Sequence, residues 1–208
     1  MLSLLLATTN RHKLEEFRAI FAHLPFHLLS LYDLHLDIDV EETGTTFAEN
    51  ARLKALAYAL AAKMLALADD SGLEIDALGG APGVYSARFL RPDASYEERF
   101  RFILAQLQGL PIEQRTARFR CVITLAEPSG YCRSVTGVVE GAIADAPRGE
   151  YGFGYDPIFL LPELGRTMAE LRPEVKNGIS HRGRAARLAC ALLETWPSPS
   201  SSHQEHRK

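Results

Sequence analysis

Twice in this chain a short apolar run stops abruptly at a polar cluster, and that pattern restricts the fold more than any other feature. Residues 2–7, apolar except for Ser3, run into Thr8-Thr9-Asn10, and residues 65–68 run into Asp69-Asp70-Ser71-Gly72. Short apolar runs of this kind read as strands buried on both faces, and polar loops at strand ends are where α/β sheets hold their ligands. Helical spacing separates them. Residues 13–22 place Leu14, Phe17, Ile20 and Phe21 on one face; residues 45–62 repeat the helical rhythm with Phe47, Ala51, Leu53, Ala55, Tyr58 and Ala62. Thr46 followed by Glu49 has the form of a capping box at the start of the second helix.

Further along, residues 78–84 form a glycine- and proline-rich irregular turn, and residues 96–107 a helix entered from residues 93–95. Residues 115–126 and 131–143 read as two long strands around Glu127-Pro128-Ser129-Gly130, a hairpin expected to build a second lobe. After a glycine- and aromatic-rich stretch at 148–156 come a short strand at 158–161 and a last helix at 180–195. The expected class is α/β. Residues 1–196 make one two-lobed domain in this reading, and the serine-, proline- and charge-rich residues 197–208 a disordered tail.

Composition narrows the function. With 208 residues, 47% of them hydrophobic, the chain can bury a substantial core. Its longest apolar run near the N-terminus is far shorter than a bilayer span and lacks a basic flank, so no signal or anchor is expected and the cytoplasm is the default location. A formal net charge of −3 gives no basic footprint for duplex nucleic acid, so a phosphate ligand must be met by local basic residues and a cation. Three cysteines, Cys121, Cys132 and Cys190, without metal-ligand spacing, indicate neither a disulfide framework nor a zinc site.

Four clusters carry possible chemistry, each with an ordinary alternative. Asp69 and Asp70 are adjacent acids beside an apolar strand, where strand alternation sends them in opposite directions; adjacent surface acids are also common. Glu41 and Glu42 precede Thr43-Gly44 and a helix, whose dipole alone accounts for acids there. Thr8, Asn10 and Lys13 lie at a helix start, which suits a polyphosphate, although the glycines of a Walker loop are missing. Lys176, Asn177, Ser180, His181 and Arg182 gather before the final helix, where a solvated loop is the plain alternative.

These clusters occur in an order that resembles one family. The matching stretches are Ala7-Thr8-Thr9-Asn10 with Lys13 and Glu16; Glu41-Glu42-Thr43-Gly44 with Thr46-Phe47, Glu49-Asn50-Ala51 and Lys54-Ala55; ADDSGLEIDALGGAPGVYSAR at 68–88; Gly149 and GFGYDPIF at 152–159; and Thr167, Ala169-Glu170-Leu171, Lys176-Asn177 and Ile179 to Arg182. Together they resemble the Ham1-like inosine triphosphate pyrophosphatases, which act on non-standard purine nucleotides. The first turn departs from the family pattern, with Thr9, Arg11 and His12 where glycine and small residues are usual.

The resemblance implies an elongated α/β fold with a mixed sheet and two lobes flanking a central nucleotide cleft. It implies hydrolysis of dITP, ITP, XTP and dXTP to the monophosphate and pyrophosphate, with Mg²⁺ as cofactor and a homodimer as the assembly. Asp70 is then the proton acceptor and a metal ligand, with Glu42 or Glu41 as the other acidic ligand and Asp69 in support. Thr8, Asn10, Lys13 and Ser71 are expected at the phosphates, with Lys54 and Lys176 adding positive charge. Phe153, Gly154, Tyr155, Asp156, Lys176, His181 and Arg182 are expected around the nucleoside, Phe153 and Tyr155 as stacking rings and Arg182 as a donor to the purine O6. The rival readings are a Maf-like pyrophosphatase, whose loops differ from ADDSGL and GFGYDP, and a noncatalytic nucleotide sensor, against which the acids at 42, 69 and 70 argue.

Overall fold

The computed structural model describes residues 2–196, so the tail expected to be disordered lies outside the described residues. Strand β1 (Leu2–Leu6) leads into helix α1 (Arg11–Phe21), and β2 (Phe26–Ser30) returns parallel to β1. Helix α2 (Phe47–Ala62) precedes β3 (Ala66–Ile75), and α3 (Tyr96–Gln106) precedes the hairpin of β4 (Thr116–Ala126) and β5 (Cys132–Ile143). Short strands β6 (Phe159–Leu161) and β7 (Arg166–Thr167) are followed by α4 (Pro173–Ile179) and α5 (His181–Glu194). All seven strands share one mixed sheet in the order β2-β1-β3-β4-β5-β6-β7, parallel from β2 to β3 and antiparallel beyond.

The apolar run of β1 is explained by what covers it. Leu4 and Leu6 pack with Leu14, Phe17 and Phe21 of α1 and Ala185, Ala186 and Ala189 of α5, whereas Leu5 packs on the other face with Ala55, Tyr58 and Ala59 of α2. A strand covered on both faces has no solvent side to make polar, so its pattern does not alternate. Thr46 and Glu49 form the expected reciprocal capping box on α2. A third core gathers Leu73 and Ile75 of β3, Phe100 and Ile103 of α3, and Phe119 and Phe159.

One expectation is corrected. The apolar run ending at Ala68 is not the end of a strand: β3 continues through Asp69 and Asp70 to Ile75, paired with β4 from Ala66 opposite Ala126 to Ile75 opposite Ala117. Both acids sit in mid-strand because cations and an amide meet their side chains, while their backbone groups stay in the ladder. The 115–143 hairpin extends the same sheet, with β4 the inner neighbour of β3. On β5, Gly137 lets α5 lie against the strand, since a Cβ there would collide with the backbone of His181 and Ala185. That contact fixes the start of α5 over the sheet.

Candidate active site

A cleft of about 370 Å³ opens between the end of β1, the middle of β3, the 38–42 segment, the 153–156 loop and the starts of α1 and α5. Fifteen of the expected site residues line it, and Glu41 does not: Thr8, Asn10, Lys13, Glu42, Lys54, Asp69, Asp70, Ser71, Phe153, Gly154, Tyr155, Asp156, Lys176, His181 and Arg182. Glu41 is exposed, because neighbouring side chains on an extended segment diverge and only Glu42 turns toward α2.

At one end, the α1 N-terminus faces the cleft. The Asn10 side chain caps it, accepting from the backbone N–H of His12 at 3.0 Å and of Lys13 at 3.3 Å, while Thr8 Oγ1 accepts from Asn10 N–H at 3.2 Å. Helix starts of this kind carry partial positive charge and attract anions. Lys13 adds a full charge, its Nζ lying 2.8 Å from Asp69 Oδ2.

Strand alternation then separates the two acids. Asp69 turns to the α1 and α5 side, where Lys13 is joined by Arg182 Nη2 at 3.5 Å and by Ser71 Oγ, which donates at 3.1 Å. Asp70 turns to the α2 side, accepting from Asn50 Nδ2 at 3.2 Å on Oδ2 and lying 3.8 Å from Lys54 Nζ through Oδ1. Lys54 donates to Glu42 Oε1 at 2.7 Å, so Glu42 and Asp70 converge on one cation. Asn50 also accepts from Gly44 N–H at 2.8 Å, tying the Glu42 segment to the same point.

These environments drive the two carboxyls apart. Burial raises the pKa of both, but for Asp69 the charges of Lys13, Arg182 and Lys54 outweigh it and hold the group well below the carboxylate range. For Asp70 burial wins: Lys54 and Lys13 pull down, Glu42 and Asp69 push up, and the pKa ends above the ordinary value. Lys54 is held charged, its burial offset by Asp70, Asp69 and Glu42.

At the other end Lys176, buried, bridges Asp156 Oδ2 at 2.6 Å and Glu16 Oε1 at 2.8 Å. Arg182, also buried, gives Nη1 to Glu16 Oε2 at 2.6 Å and Nη2 to Ser71 Oγ at 2.8 Å. Both cations lie over the Phe153 ring, Lys176 Nζ at 4.9 Å and Arg182 Cζ at 5.5 Å from its centroid. Gly152 has φ of +74°, which bends the loop so that the Asp156 carboxylate accepts from Phe153 N–H at 2.8 Å. Burial raises the pKa of Asp156 despite Lys176. His181 stacks on Phe119 at 4.7 Å, and burial followed by the charges of Arg182 and Lys176 lowers its pKa well below the usual imidazole value. Its Nδ1 and the Nε of Arg182 are buried with no hydrogen-bond partner. Tyr155 differs from Phe153: its ring packs edge-on against Tyr96 in the third core and its hydroxyl donates to Ser86 C=O at 2.9 Å.

Comparison with known proteins identifies the family. The Ham1 family matches residues 4–192. The chain belongs to the Ham1 family. A dITP/XTP pyrophosphatase of Geobacillus kaustophilus is 51% identical over 196 residues, 94% of this chain and 95% of the relative. One from Geobacter sulfurreducens is 52% identical over 188 residues, 90% of this chain and 94% of that protein. The solved structure of a HAM1 protein from Coxiella burnetii superposes with a TM-score of 0.85 at 43% identity, covering 94% of this chain and all of the other.

Two residues of this Ham1-family site were not among those expected to act in it. Glu16 is the shared anion of Lys176 and Arg182, and Asn50 is the amide that holds Asp70. A signal for Glu16 existed: it follows Lys13 by three positions and precedes buried Phe17, so it leans toward the same edge of α1. Asn50 carried one too, as an amide buried among the alanines of α2.

Proposed function

We propose that this chain hydrolyses dITP- and XTP-type purine nucleoside triphosphates between the α and β phosphates, releasing the monophosphate and pyrophosphate. The observation that carries this reading is the convergence of Asp70 and Glu42 on Lys54 in a cleft that begins at a helix N-terminus with Lys13 and ends at Phe153. The names of the relatives supply the substrate class.

In this reading Thr8, Lys13 and the capped start of α1 receive the phosphates. Asp70 takes the proton of the attacking water. Asn50 fixes its rotamer, and Lys54 and Lys13 offset the charge that gathers as water attacks an anion. Glu42 and Asp70 fit a hard divalent cation: both carboxylates approach one point, the Lys54 ammonium, at 2.7 and 3.8 Å, and Mg²⁺ commonly takes one or two carboxylates and completes its shell with phosphate oxygens and water. Bound there, Mg²⁺ would neutralise phosphate charge and acidify water. Asp69, kept ionised by Lys13 and Arg182, holds those cations in place.

The purine lies against Phe153. Its O6 meets the corner of His181 Nδ1 and Arg182 Nε, two buried nitrogens of cleft-lining residues that have no hydrogen-bond partner. An amino group in place of O6, as in adenine, presents a donor to this corner, and an unpaired buried polar group is costly. Homodimeric assembly and a cytoplasmic location complete the proposal, and light scattering tests the former.

A panel of dITP, XTP, GTP and ATP with Mg²⁺, scored separately for pyrophosphate and orthophosphate, tests the reading. Pyrophosphate release with dITP and XTP far ahead of ATP is expected. Orthophosphate as the first product, or binding without turnover, overturns it.

A further inference from the structure

The phosphate end and the aromatic end of the cleft are joined by a contact that the proposed chemistry does not use. His12, on the first turn of α1, stacks on Phe153, with ring centroids 5.2 Å apart and planes 13° from parallel. Phe153 lines the cleft and His12 does not. The imidazole therefore backs the ring from outside the cavity. Its backbone N–H is one of the two donors to the Asn10 cap, so the residue that supports Phe153 is also part of the turn proposed to hold the phosphates.

Among the described residues His12 is the one aromatic partner of the Phe153 ring. Its backbone is tethered through Asp156, and Lys176 and Arg182 contact its π-face by charge, but they also hold ion pairs with Glu16. Parallel ring stacking restricts the tilt of an aromatic side chain in a way that a point charge does not. We propose that His12 is a positioning residue that, from the first turn of α1, sets the Phe153 ring for the purine. This rests on the pyrophosphatase reading for the identity of the ligand, but the stack itself is independent of it.

The first test is free of turnover. The ring protons of His12 should carry an upfield ring-current shift in NMR spectra, lost in Phe153→Leu; His12 shifts unchanged by that substitution overturn the stack. The second uses dITP kinetics. An aromatic pair of this kind corresponds to about two- to tenfold in an equilibrium constant. His12→Ala should raise KM for dITP by about that factor with kcat changed by less than about twofold, and His12→Phe should restore it. Inorganic tripolyphosphate, which has no base, should inhibit wild type and His12→Ala with the same Ki. The double variant His12→Ala/Phe153→Ala should match Phe153→Ala alone. Additive effects, an unchanged KM, or a parallel rise in the tripolyphosphate Ki each overturn the positioning role, the last by making His12 a phosphate contact. Absence of pyrophosphate release by wild type would instead count against the functional reading and leave the NMR result standing.

Discussion

Asp70 and Asp69 are one position apart on β3, yet their pKa values move in opposite directions, because burial prevails at Asp70 and the charges of Lys13 and Arg182 prevail at Asp69. Asp69 faces Lys13 and Arg182, whereas Asp70 faces an amide, one lysine at 3.8 Å and the charge of Glu42. Asp70→Asn keeps shape and the Asn50 contact but cannot accept a proton, so kcat should fall by about 10²- to 10⁴-fold while nucleotide affinity by calorimetry stays within a few-fold. Near-wild-type turnover at saturating Mg²⁺ removes Asp70 from the proton transfer. Arg182 carries a mixed burden: both Nη atoms serve Glu16, Ser71 and Asp69, and only Nε is free for a base. Arg182→Ala should therefore cost about 3–5 kcal/mol of stability by stranding buried carboxylates. If Nε also reads O6, kcat/KM for dITP should fall further than for ATP in the folded variant; a parallel fall assigns Arg182 to the framework alone. Residue-level legibility stopped where geometry was needed. Glu41 and Glu42 are chemically identical neighbours, and it is Lys54, twelve positions beyond Glu42, that singles one out.

The elements were legible wherever one period dominated. α1 and α2 announce themselves by apolar spacing and the Thr46–Glu49 box, and β4 and β5 by their turn. β2 was missed because Phe26–Ser30 has neither strict alternation nor a flanking turn signal, and its edge position leaves it only partly buried. β3 was cut short because a hydropathy pattern cannot distinguish a strand that ends from one whose acids find partners. The start of α5 is the element whose site depends most on tertiary contact, since Gly137 presses it on β5 and so buries His181. The sign of the resulting pH effect follows from the lowered pKa of His181. Below about pH 6.5 an unfolded imidazole takes up a proton that the folded one refuses, so this group's contribution to stability falls as pH falls and is recovered above that value. Between pH 7.5 and 5.5, urea unfolding of the wild type should lose on the order of 1.4 kcal/mol more than that of His181→Gln. Equal losses in both proteins contradict the assignment.

For the whole molecule the question is whether two lobes mean two units. An α/β class with a cleft was legible, because apolar runs meeting polar clusters require strand ends or strand centres near a ligand; the continuity of the sheet was not, since pairing between β3 and β4 joins residues more than forty positions apart. The structure places one core, containing Phe17, between the sheet and α1 and α5, and another, containing Ile103, against α3. Both draw on the same two strands: β3 gives Leu67 to one and Leu73 to the other, and β4 gives Ile123 to one and Phe119 to the other. Neither core can lose its strands without unpairing the ladder under its neighbour, so the described domain should unfold as a single cooperative unit. Phe17→Ala and Ile103→Ala each empty a fully buried site and should cost about 3–5 and 2–5 kcal/mol respectively. Each should shift one common midpoint, seen alike by far-UV circular dichroism and by aromatic fluorescence. Two separate transitions, with each substitution moving only one, would show that the cleft divides independent folding units and that β3 and β4 merely link them.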